Sequence, residues 1–101
     1  MSGLSSQQLQ AIASEVGTPT YVYDAALIRS RCRALSAACG DYPHAMHYAI
    51  KANPMPAVVQ HLADLVDGFD VASAGELQVA LDTPMAPGKI SFAGPGKTEH
   101  E

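Results

Sequence analysis

The sequence predicts an α/β fold built on parallel strands, and three observations carry that prediction. Helical and strand patterns take turns along the 101 residues. The apolar strand patterns near residues 45, 68 and 89 are separated by runs of helical spacing, which are too long to be hairpin turns. On each of those strands the large residues fall on one side and small or polar residues on the other. Strands joined through helices in this order form parallel βαβ units with right-handed crossovers.

Residues Ser6 to Glu15 read as a short helix. Thr18-Pro-Thr-Tyr-Val-Tyr23 reads as a strand, because β-branched and aromatic residues suit a pleated surface. Asp24 then offers a carboxylate to the free backbone N–H groups of a helix start. From Ala25 to Ala38, Leu27, Ile28, Cys32 and Leu35 recur at helical spacing, while Arg29, Arg31 and Arg33 spread over the remaining surface. Gly40 ends that helix. Ala45 to Lys51 is a strand on which Tyr48 and Ile50 share one face and His47, Ala49 and Lys51 the other. Asn53-Pro54 closes it, since a residue before proline is pushed out of the helical region. Helical spacing returns from Pro56 to Val66 through Val58, Val59, Leu62, Leu65 and Val66. Gly68 to Ala72 is the next strand. Ala74 to Leu81 is again helical, with Ser73 as its cap and Glu76 placed for a capping box. Pro84 to Gly88 makes a turn, and Lys89 to Ala93 a further strand.

Composition bounds the function. The chain is 48% hydrophobic and 16% charged, enough apolar material for a core and too few charges for a disordered tail. It has the length of one modest domain or of a piece of a larger one. No crossover helix follows the last strand, so the sequence reads as the beginning of a longer protein with one bare sheet edge. A net charge of −4 leaves no basic footprint and argues against nucleic acid or an anionic membrane as partner. No apolar run is long enough to span a bilayer, and the N-terminus lacks the pattern of a signal peptide, so a cytoplasmic location is expected. Cys32 and Cys39 lie almost two turns apart on one helix, too far for a disulfide, and are expected as free thiols.

The candidate chemistry centres on Lys51. At the carboxyl end of a strand it is either a solvated surface lysine or a covalent anchor for a carbonyl cofactor, because ligands of parallel α/β folds gather at those ends. Ala49, Asp70, Ala72, Ser91 and Ala93 face away from the large residues of their strands. They leave volume for a flat ligand, unless downstream segments fill it. His47, on the Lys51 face, either approaches such a ligand or packs with a satisfied nitrogen. Gly94-Pro-Gly-Lys-Thr98 is similar to the end of a phosphate-binding loop, but the full spacing needs glycine at position 91, where Ser91 stands. His44 and His47 point to opposite faces of one strand, and His61 and His100 have no ligand set nearby, so no metal site is expected.

Three ordered blocks, Tyr48-Ala-Ile-Lys-Ala-Asn53, Gly68-Phe-Asp-Val-Ala-Ser-Ala-Gly-Glu-Leu77 and Ile90-Ser-Phe-Ala-Gly-Pro-Gly-Lys97, resemble the N-terminal part of the fold-type III pyridoxal-phosphate decarboxylases. These act on diaminopimelate, ornithine or arginine, and the wording is most similar to the diaminopimelate-like, exosortase-associated branch. The resemblance runs from about Gly17 to Lys97. It implies the N-terminal portion of a (β/α)8 TIM barrel of the alanine racemase-like fold, incomplete here, with residues 1–24 leading in and 25–101 forming the first βα units. By that resemblance, Gly17 to Tyr23 would be the strand that joins a later β-domain. Lys51 matches the lysine that forms a Schiff base with pyridoxal 5′-phosphate. Ala49 matches a small residue against the cofactor ring, and Asp70 a carboxylate close to both. Asp70 either orients a protonated nitrogen there or bonds neighbouring backbone. The implied activity is decarboxylation of a basic or diamino acid by a homodimer. An amino-acid racemase, a barrel-only cofactor carrier and a non-catalytic binding protein are the alternatives that share these residues.

Overall fold

The computed structural model describes residues 3–94 and 97–100, and in it three parallel strands form one sheet. β1 (His47–Ala49), β2 (Gly68–Val71) and β3 (Ile90–Phe92) lie side by side in chain order. Two helices make the crossovers, α3 (Pro56–Leu62) from β1 to β2 and α4 (Ala74–Leu81) from β2 to β3. Before the sheet come α1 (Ser6–Val16) and α2 (Ala25–Cys39). The parallel βαβ order expected from the sequence is therefore the order observed.

Register places the site. Ala49 lies opposite Asp70, which lies opposite Ser91, while Tyr48, Phe69 and Ile90 form the adjacent row. Because strand side chains alternate, one row faces the helices and the other faces away. Phe69 and Val71 of β2 are buried with Val58, Val59 and Leu62 of α3, Ala80 of α4, and Ile50. Tyr48 meets Phe69 edge to face, with ring centres 6.4 Å apart. Asp70 and Ser91 are exposed on the opposite side.

Caps delimit the helices where the sequence offers them. Ser5 and Gln8 form a reciprocal capping box on α1. Asp24 Oδ1 accepts from the Leu27 N–H at 3.1 Å. Gly40, with φ of 57°, takes a positive-φ conformation that favours glycine where α2 ends. Ser73 Oγ caps α4 by accepting from Glu76 N–H, but the Glu76 carboxylate accepts from Ala72 N–H and not from Ser73. The expected box thus closes one residue earlier along the chain.

Four expectations need correction. Residues 18–23 form no strand: they have the composition of one, but a strand exists only through pairing, and no described segment pairs with them. β1 is shorter than the apolar pattern, stopping at Ala49, and Ile50–Ala52 is a 3₁₀ turn. α3 ends at Leu62, where the Leu65 and Val66 N–H groups both bond to the Leu62 carbonyl and tighten the chain into turns. β3 likewise loses a residue at each end, as Lys89 belongs to a second 3₁₀ turn, Pro87–Lys89, and the strand stops at Phe92 before Ala93.

Candidate functional site

Lys51 sits in the 3₁₀ turn just beyond β1, not on the strand tip. The reason is next to it. Ile50 is fully buried, and drawing its side chain into the core while the backbone turns breaks the strand's alternation. The turn is held at its far end, since the Asn53 N–H bonds to the Ile50 carbonyl and the Tyr48 hydroxyl donates to the Asn53 carbonyl, both at 3.0 Å. Asn53 Oδ1 accepts from Met55 N–H and carries the chain towards α3. Lys51 is exposed at the carboxyl end of the sheet, and its amine makes no hydrogen bond or ion pair among the described residues. Burial holds the Tyr48 phenol above its ordinary pKa of 10.0; its bond to Asn53 opposes that shift and Tyr23 adds to it.

The away-facing row beside this turn is Ala49, Asp70 and Ser91. Asp70 is not bonded to neighbouring backbone. Its Oδ1 lies 2.8 Å from His47 Nδ1, and the two side chains keep 49% and 32% of their exposure. His47 therefore has a satisfied nitrogen without being buried.

The remaining candidates lie apart. His44 is in a loop, bonded to the Tyr42 carbonyl and facing the Ser36 hydroxyl. The His61 Nε2 donates to the Ala25 carbonyl at 3.0 Å and ties α3 to the start of α2. Among the described residues no cluster of three or more His, Cys, Asp or Glu could hold a metal ion. Lys97 Nζ approaches the Phe92 carbonyl at 3.4 Å and its ring centre at 5.8 Å. Pro95 and Gly96 of the loop pattern lie outside the described residues. Cys32 and Cys39 are free thiols. Among the described residues no helix is long and apolar enough to cross a membrane. Apolar grooves of about 430 and 420 Å³ open around α1, α2 and α3, and neither is lined by Ala49, Lys51 or Asp70.

The Lys51 amine, unpaired among the described residues, is thus at the carboxyl end of a parallel sheet, where ligands of such folds gather. Residues 25–101 match the pyridoxal binding domain of the pyridoxal-dependent decarboxylases, and the chain belongs to that family. The cofactor of the family is pyridoxal 5′-phosphate, and the matched unit is the N-terminal TIM-barrel part of the alanine racemase-like fold. Diaminopimelate decarboxylase of Vibrio cholerae is 44% identical over 93 residues, covering 92% of this chain and 22% of that protein. The Pseudomonas aeruginosa diaminopimelate decarboxylase is 43% identical with the same coverage. The crystal structure of AQ1208 from Aquifex aeolicus superposes with a TM-score of 0.77 at 40% identity, covering 92% of this chain and 23% of that one. The chain thus spans less than a quarter of the length of these relatives.

Sequence reasoning placed Ala49, Asp70 and Ser91 on one face and the structure brings them into one row. It missed the pairing of His47 with Asp70 and the Tyr48 tie across the lysine turn. A faint signal existed for the first, a glycine at position 68 with an aspartate two residues on.

Proposed function

We propose that the complete protein, extended to the length of its relatives, decarboxylates a basic or diamino acid of the diaminopimelate class, with pyridoxal 5′-phosphate held covalently on Lys51. The observation that carries this reading is the unpaired Lys51 amine at the sheet's carboxyl end. The residues fit the cofactor: Lys51 would hold its aldehyde carbon through the amine, Ala49 leaves room for a flat ring, and Asp70 presents a carboxylate on the same side. Bound there, pyridoxal phosphate supplies an electron sink for cleavage at an amino-acid α-carbon. This chain's own residues have simpler tasks. Lys51 would supply the nucleophilic amine, and the Asp70 carboxylate would orient a protonated nitrogen of the bound group.

Residues 1–24 are proposed to lead into the barrel, with 18–23 gaining strand partners from a later β-domain, and 25–101 to form the barrel's first βα units. A cytoplasmic homodimer is the proposed setting. The similarity to named diaminopimelate decarboxylases supports the substrate class.

Borohydride reduction of the full-length protein loaded with pyridoxal phosphate, followed by peptide mapping, should place the cofactor on Lys51. Lys51→Ala should abolish that adduct and reduce CO₂ release from meso-diaminopimelate to background. An adduct on another lysine would overturn the assignment. Racemisation without CO₂ release would reassign the reaction, and full-length protein that never takes up the cofactor would favour a binding role.

A further inference from the structure

We infer that His47 is a positioning residue that fixes the Asp70 carboxylate on the ligand-facing side of the sheet. The inference rests on the reading of Asp70 just proposed. His47 is the first residue of β1 and lies opposite Gly68, the first residue of β2. Ala49 and Asp70 form the pair two residues further along, so all four positions share one face.

The close approach depends on Gly68. A Cβ on that residue would stand 2.7 and 2.8 Å from His47 Cε1 and Nε2, and would collide with the Lys89 carbonyl oxygen. The imidazole occupies the space that any other residue at position 68 would fill. Lying across β2 there, its Nδ1 reaches Asp70 Oδ1 at 2.8 Å. An ionised carboxylate accepts hydrogen bonds and cannot donate them, so Nδ1 carries the hydrogen whether the ring is neutral or protonated. This is the only hydrogen bond of the Asp70 side chain among the described residues. With 49% of its side-chain surface exposed, Asp70 would otherwise move freely among rotamers. His47 lies towards the amino ends of the strands, below the Ala49–Asp70 pair, and so acts through Asp70.

The test uses the full-length protein and measures the dissociation constant of pyridoxal phosphate, with the site of the borohydride adduct as a control. His47→Phe keeps a ring over Gly68 without a donor, and His47→Asn places an amide N–H near the Nδ1 position. His47→Phe should weaken cofactor binding about tenfold, and His47→Asn should restore it to within about threefold of wild type. In an Asp70→Asn background, His47→Phe should add no further loss, because both changes remove one interaction. Equal binding by His47→Phe and wild type would overturn the inference, as would losses that multiply in the double variant. In either case an adduct still on Lys51 leaves the reading of the site standing. Absence of the adduct from wild type would instead sink that reading itself.

Discussion

The two halves of the chain use similar apolar material to opposite ends. From β1 onward the side chains close around Phe69 and Val71, and the crossover helices supply Val59, Leu62 and Ala80 to the same core. Before β1, neither α1 nor α2 contains a buried residue. Val16, Tyr21, Tyr23 and Leu35 remain exposed, and the grooves between these helices stay open. The helical patterns of α1 and α2 are as regular as those of the crossovers, and their capping is as good or better. Capping and periodicity decide where a helix forms; burial requires a partner surface in register with it. The half with the closed core is also the half that carries the proposed cofactor residues Lys51 and Asp70 and the proposed positioning residue His47, so the proposed site stands on the packed frame.

Three substitutions would break or sharpen this contrast. Phe69→Ala removes a fully buried ring from the centre of the sheet and should cost about 3–5 kcal/mol, read from urea unfolding. A loss as small as that of an exposed site would mean the core is not closed around β2. Tyr48→Phe deletes the hydroxyl that ties the lysine turn and should cost about 1 kcal/mol. Because the folded protein holds the Tyr48 proton above its ordinary pKa of 10.0, the unfolded chain loses that proton first as pH rises. This contribution is fully present below about pH 10 and is lost as pH climbs through the raised folded value. Unfolding titrations between neutral pH and pH 11 should therefore decline less steeply for Tyr48→Phe than for wild type. The smallest effect belongs to Leu35→Ala, on the exposed side of α2, expected within about 0.5 kcal/mol for this chain. A cost above about 2 kcal/mol in the complete protein would show that another part of it covers this face.

Legibility followed the range of the interaction. Asp24, Ser73 and Gly40 were readable because a cap acts within a few residues of itself. The crossover helices and their apolar stripes were readable for the same reason. Lys51 lies at the carboxyl end of the sheet, as the pattern expects, yet in a turn and not on the strand, because period-two alternation cannot foresee that burying Ile50 will turn the chain. The Thr18–Tyr23 segment misled, since its composition suits a sheet and composition says nothing about whether a neighbouring strand exists. The side of β2 that Asp70 takes, away from the helices, is legible in the sequence, yet its partner is not. His47 is remote in sequence, and only strand register brings it across Gly68.

By itself, then, the sequence determined the alternation of helix and strand, the ends of most helices, the free thiols, and the lysine that the family blocks single out. These depend on periodicity, on local hydrogen bonding and on residue identity. Tertiary structure alone decided that Ala49, Asp70 and Ser91 form one row, that Lys51 is presented from a tied turn, and that His47 lies over a glycine to reach Asp70. Each of these needs two or three segments in a definite register. Register is set by the shared burial of Tyr48, Ile50, Phe69 and Val71 against the helices, and no one of those segments specifies it.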